Sequence, residues 1–138
     1  MSISEAVSAS NGALWAGRVL SAVVVLFMIF DGAIKLPPLD IVTQTMAGLG
    51  WPDDASTARL LGIIGLVSTA LYAIPRTSML GAILLTAYMG GAISTHVRIG
   101  NPLFSHTLFG VYLGVILWGG LYLRDARVRA LIPFSRQP

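Results

Sequence analysis

In the stretch "MIFDGAIKLPP", Met28 to Pro38, an aspartate and a lysine close a run that is apolar from Val19 to Phe30 except for Ser21. Asp31 and Lys35 stand one helical turn apart, acid before base, the favourable order for an ion pair on one helix face. A carboxyl group among apolar side chains takes up a proton unless a cation or water supports it. The chemistry on offer is therefore a held charge pair or a proton-exchanging group. Further along, "STHVRIGNPLFSH" adds His96, Arg98 and His106. On a helix, Tyr88, Ala92 and His96 share one face, and Arg98 points to the other side. This makes His96 the partner for a pocket with Asp31 and Lys35. Arg98 suits a phosphate or a loop carboxylate. His96 and His106 flank one connecting loop with no third ligand arranged around them, so no metal site is predicted and a haem pair is disfavoured. Two readings of the cluster stand side by side: a polar lock tying helix ends together, and a ligand-facing pocket.

The elements that must carry these groups follow from composition. Of 138 residues, 55% are hydrophobic and only 11% charged, against about 25% charged in an ordinary soluble domain. So few charges cannot wet a globule of this size, and a single all-α integral membrane four-helix bundle is predicted. The polar segment Met1 to Gly12, with Glu5 and no basic cluster, does not read as a removable signal. Spans are predicted at about 13–36, 58–74, 78–97 and 103–123, each near the ~20 residues that cross a bilayer. Pro37-Pro38, Pro75 and Asn101-Pro102 mark the breaks. Residues 37–57 form the longest connection, with Ile41, Val42, Met46 and Leu49 spaced for a short interfacial helix, Gly50 to end it, and Trp51 as a headgroup anchor, the alternative being an ordered loop with no helix. Residues 124–138 form a basic tail.

Orientation follows from the arginines. Arg18, Arg76, Arg124, Arg127, Arg129 and Arg136 fall on the side of both termini, and Lys35, Arg59 and Arg98 on the other. That bias predicts cytoplasmic termini, which puts the ionisable cluster at the outer end of the bundle. Glycines and alanines in spans three and four, among them Gly81, Gly90, Gly91, Gly110, Gly114, Gly119 and Gly120, predict close helix contacts. The alternative for Gly90-Gly91 is that the pair loosens span three and leaves room for a ligand. There are no cysteines, which excludes thiol nucleophiles, disulfides and thiolate-ligated clusters within the chain. Nothing points to nucleic acid.

Taken together, "RVLSAVVVLFMIFDGAIKL", "LGWP", "YAIPRTSMLGAILLTAYMGGAISTHVRIGNPLF" and "WGGLYLRDARVRALIP" resemble the DoxX-like family of small four-span membrane proteins. The resemblance runs from about Trp15 to Pro133. It implies a four-helix bundle of the bacterial inner membrane. It also implies relatives tied to sulfur oxidation, quinone reduction and membrane oxidoreductase complexes, with more distant ones acting as assembly helpers. The expected function is a non-catalytic accessory subunit of a redox or quinone-linked membrane complex. The alternatives are a carrier or enzyme binding a quinone or other lipophilic molecule, and an assembly factor. No intrinsic cofactor is predicted and a quinone is left open. The bilayer is the first partner, with other redox subunits or a second copy of the chain also compatible. Asp31, Lys35, His96 and Arg98 are the positions marked as a candidate polar site.

Overall fold

The computed structural model describes residues 10–135, and every element in that range is helical. The polar start with Glu5, and Arg136 in the tail, lie outside the described residues. Four long helices carry the fold: α1 (Asn11–Ala33), α3 (Ala55–Ala73), α4 (Ser78–Ile99) and α5 (Phe109–Arg124). A short α2 (Asp40–Gly48) sits between α1 and α3, and α6 (Ala126–Leu131) follows α5. The four long segments are long and apolar enough to cross a membrane, and the chain is an integral membrane protein.

Local sequence sets the helix ends. Ser10 caps α1 by accepting the Ala13 N–H at 3.1 Å, and Asp54 caps α3 by accepting the Thr57 N–H at 2.7 Å. That bond holds the Asp54 carboxyl below the usual carboxylate range. Span one was expected to run to Leu36, but regular helix stops at Ala33. The last residues tighten instead, with Lys35 N–H reaching the Gly32 carbonyl at 3.2 Å and Leu36 N–H the Ala33 carbonyl at 3.3 Å. Pro37 and Pro38 have no N–H to continue the ladder. Ile74, placed before Pro75, is extended, and a single 3₁₀ turn, Pro75–Thr77, leads into α4.

Span four also begins differently from the expectation. Leu103–Thr107 is a π-helical turn, and regular α-helix starts only at Phe109. The wide turn is closed by Thr107 N–H on the Pro102 carbonyl at 3.1 Å and Leu108 N–H on the Leu103 carbonyl at 2.9 Å.

The long helices pack as a ring in which α1 touches α3 and α5, and α4 touches the same two. Contact between them depends on missing side chains. A Cβ on Gly17 would lie 2.8 Å from the Gly120 carbonyl oxygen, and one on Gly81 would lie 2.1 Å from the Tyr72 nitrogen. Lipid supplies little hydrophobic force between helices, so such close approach carries the packing. Gly90, Gly91 and Gly114 meet nothing within 4 Å, so the expected contact role does not apply to them.

Tyr72 lies at the centre. It is fully buried. Its hydroxyl donates to the Leu117 carbonyl at 2.7 Å and sits 2.9 Å from the Ser21 hydroxyl. One side chain of α3 therefore ties α1 to α5 through groups that lipid could not satisfy.

Candidate functional site

Two features of the chain build one end of the bundle, the end where the α1–α2 and α4–α5 connections meet. The first is the i, i+4 spacing of Asp31 and Lys35. It survives the tightened last turn of α1, and Lys35 Nζ donates to Asp31 Oδ2 at 2.5 Å. The pair is neither dry nor fully wet, with side-chain exposures of 16% for Lys35 and 28% for Asp31. Lys35 Nζ also donates to the Tyr88 hydroxyl of α4 at 3.1 Å. Because the Tyr88 oxygen accepts that bond, its own O–H remains free to donate elsewhere.

The second feature is "HVRIGN", residues 96–101. Gly100 takes the left-handed conformation, φ 72°. Its N–H reaches the Val97 carbonyl, while the Asn101 N–H reaches back to the His96 carbonyl at 3.1 Å. This is the paired closure of a Schellman motif, which glycine permits at low cost. The motif folds Asn101 back over His96, and the Asn101 amide Nδ2 stands 2.7 Å from His96 Nδ1. With the amide donating, Nδ1 is the acceptor and the ring proton resides on Nε2. The π-helical turn then brings His106 beside His96, ring centroids 5.8 Å apart and edge to face. His106 Nδ1 is itself engaged by the Ser105 hydroxyl at 2.7 Å.

These groups border a cavity of about 640 Å³. Asp31, Lys35, Tyr88, His96 and His106 form its polar part, and Met28, Met89, Ile93, Phe109 and Leu113 are among its apolar walls. Gly91 and Ala92 leave the space open on the α4 side. The helix α2 supplies another wall through Ile41, Val42, Thr45 and Met46. Val42 and Met46 are buried against Ala58, so the amphipathic segment read from the sequence folds as a helix over this cavity. Trp51, expected as a headgroup anchor, also lines it.

Of the four residues marked from the sequence, Asp31, Lys35 and His96 border one cavity, and Arg98 does not. Arg98 turns the other way, as helix geometry requires, and meets a backbone carbonyl where a phosphate or carboxylate was expected. Its Nη2 donates to Leu49 O at 2.7 Å. Gly50 makes room for this. It adopts φ 85°, and a Cβ there would lie 2.8 Å from Arg98 Nη2. Arg59 acts similarly at the start of the connection, donating to the Leu36 and Pro37 carbonyls at 2.9 and 3.1 Å. These two cations satisfy orphan carbonyls at the ends of α1 and α2.

Tyr88 and Asn101 were not marked from the sequence. Tyr88 carried a signal, because it shares the face of Ala92 and His96, and all three border the cavity. Asn101 carried one too, since a Gly-Asn pair after a helix-ending histidine is the pattern of a Schellman closure.

What the site can do is bind. Its walls are apolar, and its polar end offers the Tyr88 O–H, the His96 Nε2–H and the Lys35 ammonium as donors, with Asp31 as acceptor. Among the described residues, no group of three or more His, Asp or Glu side chains is placed to hold a metal ion.

Comparison with curated proteins and with solved structures gives no match to the chain. The sequence pattern of one family matches residues 19–120, a range that contains all four long helices' contact glycines from Gly32 to Gly120 and the whole cavity. The chain belongs to the DoxX-like family.

Proposed function

We propose that this DoxX-like membrane protein binds a lipophilic molecule bearing hydrogen-bond acceptors, of the quinone class, in the cavity at the outer end of its bundle. The observation that carries this reading is the joining of a mostly apolar space of about 640 Å³ to the donors Lys35, Tyr88 and His96 along its wall. A quinone ring and its first isoprenoid carbons match the apolar walls. Its carbonyl oxygens match the Tyr88 O–H and the His96 Nε2–H. Pockets for small molecules usually combine this much apolar lining with a few convergent polar groups.

The reading is compatible with an accessory role in a membrane redox complex. A subunit that holds a quinone supplies a site, and the chain, which has no cysteine, contributes no thiol redox chemistry. The excess of arginine at the end bearing the termini supports cytoplasmic termini, with the cavity facing the outer leaflet. Reporter fusions at Asp54 and after Pro138 should then report opposite sides of the membrane.

The test uses Trp51, which lines the cavity. Titrating a short-chain quinone into purified protein should quench tryptophan emission saturably, and Trp51→Phe should remove the saturable part. Quenching that stays linear with concentration in both proteins would show that the quinone only partitions into detergent.

A further inference from the structure

A second, smaller cleft lies at the opposite end of the bundle. It has a volume of about 220 Å³ and is lined by Arg18, Ser21, Ala22, Val25, Ala73 and Arg124. We propose that it binds the phosphate headgroup of an anionic phospholipid, gripped between Arg18 and Arg124.

The placement begins with one helix face. Arg18, Ser21, Ala22 and Val25 fall at i, i+3, i+4 and i+7 on α1 and so form one stripe. The stripe is cationic at its outer limit and apolar toward the bilayer centre, which is the polarity of a phospholipid entering from the interface. Ala73 and Arg124, the last residues of α3 and α5, close the cleft from the other side. The two arginines line one cleft because α1 and α5 touch at backbone distance. A Cβ on Gly17 would stand 2.9 Å from the Arg124 nitrogen. The contact that packs the bundle therefore also sets two guanidinium groups beside one cleft.

Neither arginine makes a direct ion pair, although the charge of Arg124 is felt by Asp125, the residue that follows it. Lys35–Asp31 and Arg127–Asp125 are ion-paired, and neither pair includes Arg18 or Arg124. Arg18 is exposed and lies over the Trp15 ring at 5.1 Å. Arg124 donates through Nη2 to the Tyr72 carbonyl at 3.0 Å and stacks over the Tyr72 ring at 5.0 Å. Its Nε is buried without a hydrogen-bond partner. A partly desolvated cation next to a second cation is unfavourable until an anion joins them.

The nearest acid is already committed. Asp125 accepts from Arg127 and caps α6 through the Arg127 N–H at 2.9 Å. The Ser21 hydroxyl is likewise engaged, with Tyr72. Free donor capacity in the cleft therefore belongs to the two arginines, and paired guanidinium groups suit the oxygens of a phosphate.

The surroundings select a lipid as the source of that phosphate. Next to the stripe, Val19, Val23 and Leu26 are exposed on α1 in a span that faces the bilayer. A volume of about 220 Å³ admits a headgroup phosphate and its neighbouring carbons, with the acyl chains lying along α1 outside the cleft. Basic residues at a membrane surface already attract anionic lipid diffusely, by about fivefold in affinity per residue. The cleft converts part of that attraction into a defined site.

The test is native mass spectrometry of the full chain in a neutral detergent, with phosphatidylglycerol or phosphatidylcholine added at equal concentration. One phosphatidylglycerol per chain should be retained in preference to phosphatidylcholine. Arg18→Gln should reduce that retention about fivefold or more. Arg76→Gln removes the same charge at the same end, outside the cleft, and should leave retention within about twofold. Ala22→Trp fills the apolar floor at a lipid-facing position without changing charge, and should also abolish retention. It keeps the proposal testable should Arg18→Gln fail to fold. Equal losses from Arg18→Gln and Arg76→Gln, or unchanged retention in Ala22→Trp, would overturn the site in favour of diffuse attraction. Thermal protection by inorganic phosphate alone, matching that by phosphatidylglycerol, would overturn the lipid as its occupant.

Discussion

The Asn101 side-chain amide stands 2.7 Å from His96 Nδ1, and with the amide as donor this contact leaves the ring proton on Nε2. The Schellman closure at Gly100 delivers Asn101 to that position. Removing the amide by Asn101→Ala releases the ring to both tautomers. Nitrogen NMR of labelled histidine should show a tautomer mixture in place of a single Nε2–H form. Quinone affinity should fall about fivefold to tenfold, the worth of one ordinary hydrogen bond. An unchanged tautomer would mean that Asn101 does not orient the ring.

The Asp31–Lys35 pair should behave as a unit. Lys35→Met strands a half-buried carboxyl group, and Asp31→Asn with Lys35→Met removes both charges together. The single change should therefore destabilise the detergent-solubilised protein by about 1–2 kcal/mol more than the double change, a figure reduced from that of fully buried pairs because both side chains keep some water contact. The measurement is a double-mutant cycle on thermal stability. Additive effects would mean that the two side chains do not interact. Tyr88→Phe, which removes one acceptor from Lys35, should cost about 1 kcal/mol. It should weaken quinone binding beyond any effect on stability.

Arg98 should hold α2 in place without touching the ligand. It grips the Leu49 carbonyl at 2.7 Å, at the C-terminal end of α2. Arg98→Ala should raise hydrogen exchange at the amides of residues 45–51 several-fold while leaving α1, α4 and α5 protected. The cost in global stability should be about 1 kcal/mol, because the guanidinium group is exposed to solvent. Uniform loss of protection throughout the bundle would assign Arg98 to the core fold instead.

Two glycines of one helix should differ sharply. Gly81→Ala drives a methyl to 2.1 Å from the Tyr72 backbone, whereas Gly90→Ala meets nothing within 4 Å. Gly81→Ala should lose several degrees or more of thermal stability, or fail to give a monodisperse protein, since α3 and α4 must separate. Gly90→Ala should be neutral or slightly stabilising, through its helix propensity. Equal effects would argue against the α3–α4 contact.

The amino-acid sequence by itself determined the local and the lengthwise features. Apolar runs long enough to cross a bilayer specified four spans. Pro37-Pro38, Pro75 and Asn101-Pro102 marked the breaks between them, because proline lacks a donor and holds the preceding residue out of the helical region, although regular helix in span one ends earlier, at Ala33. The i, i+4 spacing specified the Asp31–Lys35 contact, while the apolar spacing of Ile41, Val42, Met46 and Leu49 fitted a short helix or an ordered loop, and the structure has the helix α2. Only the tertiary structure decided which faces turn inward. Inside a membrane the lipid-facing and core-facing sides of a helix are both apolar, so hydropathy does not separate them. That is why Tyr88 as the second partner of Lys35 and Leu49 as the acceptor for Arg98 could not be read in advance. Each depends on helices brought to backbone contact at glycines such as Gly17, Gly81 and Gly120. Two of those glycines, Gly17 and Gly81, look in the sequence no different from Gly90, which meets nothing.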